Sequence, residues 1–273
     1  MVFEQIFKPT FLEKKPKVSF LIGMFYATIG IISAMIVFPQ SVGLVSIAFT
    51  SVLVLPTLNR LLTIETRQMV QAKRTTITQI YRNHQDIFQT YIFLFLGIMI
   101  TYSIFSLILD ELTVANVFKS QLRLVGVTGE ASNLLFPDFF GILLNNMKVL
   151  LVSFVFSLVY GAGAIFFLTW NASVWGTIFG YIAKQAAQVS HESVPLAFLN
   201  LFIQVFPHTV VEVSSYLLAI IGGGILSKAV LKEKLGSKRF QRVMYDGFII
   251  FTIAIVLVIL GAYIEVFLFP EFI

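Results

Sequence analysis

Long apolar runs separated by short polar stretches dominate this chain. Residues 18–38 and 42–58 carry no charge, and only the tight Phe38-Pro39-Gln40-Ser41 connection divides them. Proline suits such a turn. The first run exceeds the 7–15 residues of a signal-peptide core, so it reads as an uncleaved transmembrane helix. Further runs at 87–109, 147–170 and 247–269 come near the ~20 residues that span roughly 30 Å of hydrocarbon.

The region between 171 and 228 is less regular. Residues 172–183 would make only ~18 Å of helix, which predicts a short crossing whose Lys184 snorkels to the far interface. Residues 194–206 read as a half-length segment dipping in from outside, and 207–227 as the return crossing. The pattern therefore predicts an all-α, polytopic transmembrane helical bundle of about seven crossings. Short or broken helices are expected between 171 and 207.

Composition agrees with that class. Hydrophobic residues make up 58% of the chain and charged residues 12%, where a soluble domain carries about 25% charged. A soluble enzyme, a disordered chain and a nucleic-acid module with a basic surface are excluded. The chain has no Cys, so disulfides, thiolate metal sites and Cys nucleophiles are excluded too.

The placement of the scarce charge predicts orientation. Lys8, Lys14, Lys15 and Lys17 precede the first run. Arg60, Arg67, Lys73, Arg74 and Arg82 lie between the second and third, and Lys228, Lys232, Lys234, Lys238, Arg239 and Arg242 precede the last. These are fifteen of nineteen basic residues, and basic residues in short loops mark the cytoplasmic side. The chain then divides into a cytoplasmic segment 1–17, a first helical hairpin 18–59, a cytoplasmic amphipathic linker helix 60–86 and a main bundle 87–273. An outside loop occupies 110–146, and the C-terminus lies outside.

Polar residues within apolar runs cost several kcal/mol unless paired, so they are the candidate functional positions. They are Asn145, Asn146, Asn171, His208 and Glu212. His208 and Glu212 are four apart just after Pro207, which stacks them on one helix face. Such a pair can be an internal clasp, a proton or ion relay, or a catalytic site. With only three His and no H-E-x-x-H spacing, no metal site is expected. The asparagines read as caps or interhelical hydrogen-bonding residues, or as ligand contacts. Gly161, Gly163, Gly176, Gly180, Gly222, Gly223 and Gly224 are candidate helix-packing sites, because small residues let membrane helices approach. Asn145 to Gly161 and His208 to Gly224 share a sixteen-residue offset, a weak sign of an internal repeat. No nucleotide-binding or nucleophile-elbow motif is present, so no catalytic residue and no cofactor is expected.

These residues also carry a resemblance. Asn145-Asn146, then Asn171-Ala172-Ser173-Val174-Trp175-Gly176, then Pro207-His208-x-x-x-Glu212 and Gly222-Gly223-Gly224 resemble the stage II sporulation protein M family, over about 134–230. The Asn-Ala-Ser-Val-Trp-Gly form is similar to archaeal members. Ala172 stands where many members have Gly, and Thr209 where a Gly often follows the His. The resemblance implies an integral membrane scaffold, since the namesake holds cell-wall hydrolases during engulfment. It implies a non-enzymatic protein of the cell membrane whose partners are the bilayer, other envelope proteins or copies of itself, and not nucleic acid. The alternatives are a transporter or permease subunit using Asn145, Asn171, His208 and Glu212, and an intramembrane enzyme. Reporter fusions after residues 130, 188 and 273 are expected to register outside, and a cytoplasmic signal at 273 would contradict the seven-crossing orientation.

Overall fold

The computed structural model describes residues 15–71, 77–123 and 139–268. Among them there is no strand, and seven helices are long and apolar enough to cross a membrane. They are α1 (Val18–Val37), α2 (Val42–Gln71), α3 (Ile77–Ile108), α6 (Phe139–Tyr160), α7 (Ile165–Ser190), α8 (Val194–Lys232) and α9 (Lys238–Leu268). Two short helices, α4 (Glu111–Val117) and α5 (Lys119–Leu122), follow α3. The all-α class and the count of seven crossings hold.

Three boundaries differ from expectation. The fourth crossing ends at Tyr160, and a 3₁₀ turn at Gly161–Ala164 reverses the chain. Gly161 sits at φ +57°, a left-handed conformation open to glycine at little cost. Gly161 and Gly163 therefore form a turn and do not pack helices within a longer fourth crossing. Hydropathy missed it because Gly-Ala-Gly-Ala is small and uncharged, so the apolar run appears unbroken. Residues 165–170 consequently belong to the fifth crossing, which becomes a full 26-residue helix.

The second difference follows from the first. The region 171–207 is neither short nor broken; its one interruption is the His191-Glu192-Ser193 turn, with His191 at φ +56°. Helix α8 then runs 39 residues straight through Pro207. A proline is tolerated inside a membrane helix when neighbouring groups satisfy the freed carbonyl.

Third, no separate linker helix forms over 60–86. Helix α2 continues to Gln71 and α3 opens at Ile77, while 72–76 lie outside the described residues. The N-terminal segment up to 14, and 124–138 of the expected outside loop, lie outside them as well. The rest of that loop is helical. Asp110 caps α4 by accepting from the Thr113 hydroxyl (2.6 Å) and backbone N–H (2.9 Å), and these bonds hold its carboxyl below the usual carboxylate range.

Glycines and small hydroxyls join the helices. Gly97 of α3 lies on the Phe20 carbonyl of α1, and Gly23 of α1 lies on Leu94 of α3. Gly176 and Gly180 of α7 meet Met99 and Ser103 of α3 in the same way. A β-carbon added at Gly223 of α8 would sit 2.6 Å from the Phe154 carbonyl oxygen of α6, and Gly222 faces the Gly247 carbonyl of α9. Hydroxyls add Ser106 to the Thr177 carbonyl (3.0 Å), Ser46 with Tyr102 (2.8 Å) and Ser157 to the Ile220 carbonyl (2.5 Å). Lys184 donates to the Leu109 carbonyl at the end of α3, and Lys228 to Asn59 at the opposite end of the bundle.

Leucine at Gly176 or Gly223 must displace neighbouring backbone, and overpacking of this kind costs typically ~1–3 kcal/mol. Gly176→Leu and Gly223→Leu are each expected to lower the thermal midpoint measured by size-exclusion chromatography in detergent. Gly261→Ala should not, because its added β-carbon meets nothing closer than 3.7 Å.

Candidate functional site

Helices α6 and α8 run side by side in the same direction. Ser157 lies against Gly223 and Gly161 against Ser227, so the two chains keep an offset of about 66 residues by position along the pair. The buried stripe of α6 is Ile142, Asn146, Leu150, Ser153 and Ser157, and it faces α8. Leu150 packs with Tyr216 and Ala219 of α8 and with Ala254 and Val258 of α9. One turn beyond this apolar cluster, away from Lys228, come Asn146 on α6, Glu212 on α8 and Gly261 on α9. The three helices present a polar layer there.

Glu212 is the centre of that layer, with only 7% of its surface exposed. The Tyr216 hydroxyl donates to its Oε1 at 2.7 Å, and Ser215 donates to its backbone carbonyl at 2.6 Å. Gly261 lets α9 approach closely: its added β-carbon would be 3.7 Å from the Glu212 Cα. Glu265, half-buried in the last turn of α9, is near enough for its charge to act on Glu212 and Tyr216.

The motif residues on α7 join the layer from the other side. The rings of Trp175 and His208 lie 6.4 Å apart, which sets the register of the antiparallel α7 and α8. Asn171 is one turn before Trp175 and Glu212 one turn after His208, so Asn171 comes level with Glu212. Its Nδ2 donates to the Phe167 carbonyl of its own helix at 2.8 Å. His208 is buried, and Thr209 beside it returns its hydroxyl to the Val205 carbonyl.

By helix register, Asn146, Asn171, His208 and Glu212 thus lie at neighbouring levels of α6, α7 and α8. Asn145 points elsewhere, on the exposed side of α6. Neither asparagine starts a helix, since α6 begins at Phe139 and Asn171 lies inside α7. One member, Tyr216, was not singled out from the sequence, while Glu265 stands out there as a polar residue close enough to the outside end to reach water. Tyr216 had a readable signal, because it repeats the i, i+4 step from Glu212. Among the described residues, no group of three or more His, Asp or Glu could hold a metal ion.

A second feature lies along the first half of α8. Leu196, Leu199, Ile203, Phe206 and Val210 are exposed by 36–61% and are spaced 3, 4, 3 and 4 residues apart. That spacing makes one stripe along the helix; Ile253, Val256, Leu260, Tyr263 and Phe267 make a similar stripe on α9, so what distinguishes α8 is the cleft beside it. Beside it an apolar cleft of about 120 Å³ opens between α3 and α8, lined by Ile92, Phe95 and Met99, Phe179 of α7, and Phe202 and Val213.

Apolar helices of spanning length around a buried polar layer define a polytopic integral membrane protein. The family model "Stage II sporulation protein M" matches residues 90–270, about two thirds of the chain, and the chain belongs to that family. The match runs from within α3 to the end of α9, so it starts well before the 134 at which the motifs become readable and leaves α1, α2 and the start of α3 outside. No curated protein and no solved structure matches the chain.

Removing the Tyr216 hydroxyl leaves a buried carboxylate short of a donor, which costs about 1–3 kcal/mol, and more for a charged group. Tyr216→Phe is expected to lower the thermal midpoint in detergent, while Tyr263→Phe on the exposed side of α9 leaves it unchanged.

Proposed function

We propose that the protein is a non-enzymatic scaffold of the cell membrane that holds partner proteins by their transmembrane helices. The observation that carries this reading is the uncovered α8 stripe with the cleft beside it. By the offset above, Phe139 of α6 comes level with residue 205 of α8. The first turns of α8 therefore pack on α7 through Phe179 and Phe202, and among the described residues no helix covers their opposite flank. A straight row of large side chains next to an apolar groove can receive the knobs of another helix. Packing of that kind, and not hydrophobic burial, is what associates helices in lipid. The family resemblance points the same way, and the distribution of basic residues supports a cytoplasmic N-terminus and an outside C-terminus.

A second reading, a transporter or permease subunit, is favoured by one observation. The Glu212 layer lies inside the bundle, and an ionisable residue there is by default a functional position. No catalytic constellation accompanies it among the described residues, so an intramembrane enzyme is not proposed.

Photocrosslinking separates the two. A crosslinker at Ile203 is expected to yield a discrete adduct in cells, identified by mass as a membrane protein or a second copy of the chain. It should weaken when Phe206→Ala reshapes the groove, and a crosslinker at Val256 on the exposed side of α9 should give none. No adduct at Ile203, together with a flux into proteoliposomes that Glu212→Gln abolishes, would replace the scaffold by the transporter.

A further inference from the structure

The outward flank of α6 carries a charge where a lipid-facing helix should be apolar. The inward stripe of this helix is Ile142, Asn146, Leu150, Ser153 and Ser157. Gly141, Asn145, Lys148, Val152, Val155 and Val159 are all exposed, at steps of 4, 3, 4, 3 and 4 residues. With 3.6 residues per turn, this second row lies on the opposite side of the helix. Val152, Val155 and Val159 suit lipid, but Asn145 and Lys148 do not. Lys148 is about 14 Å of helix from Phe139 and about 18 Å from Tyr160, the two ends of the span. A Lys at such a depth costs roughly 2.5–3.5 kcal/mol on insertion scales, of which snorkelling recovers a part. Ionisable residues in spans almost always turn inward and pair. Lys148 turns outward.

We propose that this flank of α6 docks a spanning helix of a different membrane protein, whose Asp or Glu pairs with Lys148 and accepts from Asn145. Charge complementarity selects the carboxylate. The Lys ammonium has donors and no acceptor, and Asn145, three residues earlier on the same row, brings an amide donor beside it. The row itself has the 4-3 spacing of a seam that receives another helix. Gly141 at its outer end lets the two backbones approach. Depth selects a helix over a lipid, because headgroup phosphates sit at the ends of a span and Lys148 lies between them. Charge also argues against a second copy of this chain. A two-fold axis along the membrane normal would set Lys148 against Lys148, and like charges repel strongly in a low dielectric. The row faces away from α8, so this docking face is separate from the α8 groove, and either can fail alone.

The chain has no Cys, so one introduced by Tyr160→Cys can carry a fluorescent donor on the exposed end of α6. Full-length protein in phosphatidylcholine vesicles is titrated at pH 8 with a synthetic polyleucine helix bearing an acceptor and either Asp or Leu at its middle position. Energy transfer is expected to show the Asp peptide binding at least ~10-fold more tightly than the Leu peptide, about 1.4 kcal/mol. Lys148→Leu should abolish the preference and Asn145→Leu should reduce it. Lys148→Glu should reverse it, favouring a peptide with a central Lys. Size-exclusion profiles check folding, and if Lys148→Glu misfolds, Lys148→Leu decides alone. Equal binding of the Asp and Leu peptides by the folded protein overturns the proposal, as does a preference that survives Lys148→Leu. Two other results overturn it by naming another occupant. Loss of the preference on adding phosphatidylglycerol would give Lys148 to a headgroup. Transfer between differently labelled copies that Lys148→Leu removes would give it to a second copy.

Discussion

Helices in lipid gain nothing from burying apolar surface against one another, because the lipid tails are as apolar as the side chains. Contact is what remains, and contact between backbones requires glycine. This constraint organises the bundle at every major interface: Gly23 and Gly97 between α1 and α3, Gly176 and Gly180 between α3 and α7, and Gly222 and Gly223 where α8 meets α9 and α6. Each glycine also sets a register. With Gly223 seated on Phe154 and Ser157 bonded to the Ile220 carbonyl, α6 and α8 cannot slide. Residues two and three turns away are thereby aligned. The polar layer exists where it does because Gly223 fixes Asn146 beside Glu212.

Much of this was legible in the chain, and the failures have physical causes. Hydropathy found all seven crossings because a span needs a long uncharged run whatever its partners. It misplaced the fourth and fifth because a left-handed glycine changes direction without changing polarity. It also took Pro207 for a boundary, although a proline inside a bundle keeps its helix when the surroundings satisfy the carbonyl it frees.

The site was legible in part. Asn171, His208 and Glu212 stood out because polar atoms are rare in such runs. Asn145 and Asn146 stood out equally, and only the direction of the buried stripe of α6 separates the exposed residue from the buried one. A tyrosine is too common in membrane helices to attract notice. Its role appears only once its hydroxyl is seen to donate to Glu212.

The layer's setting constrains what it can do. Toward the Lys228 end it is closed by Leu150, Tyr216, Ala219, Ala254 and Val258, and next by the stacked rings of Phe154 and Phe251, 3.9 Å apart. Beyond these, Gly223 and Ser157 bring α6 and α8 into backbone contact. On its Lys228 side the layer therefore abuts a plug of close-packed side chains. A transporter would have to part α6, α8 and α9 along interfaces built for close contact, whereas a scaffold needs no such parting. Glu212 and the α8 stripe then belong to one design. The polar layer clamps the middle of α8 on one side, and the free flank of the same helix meets the partner.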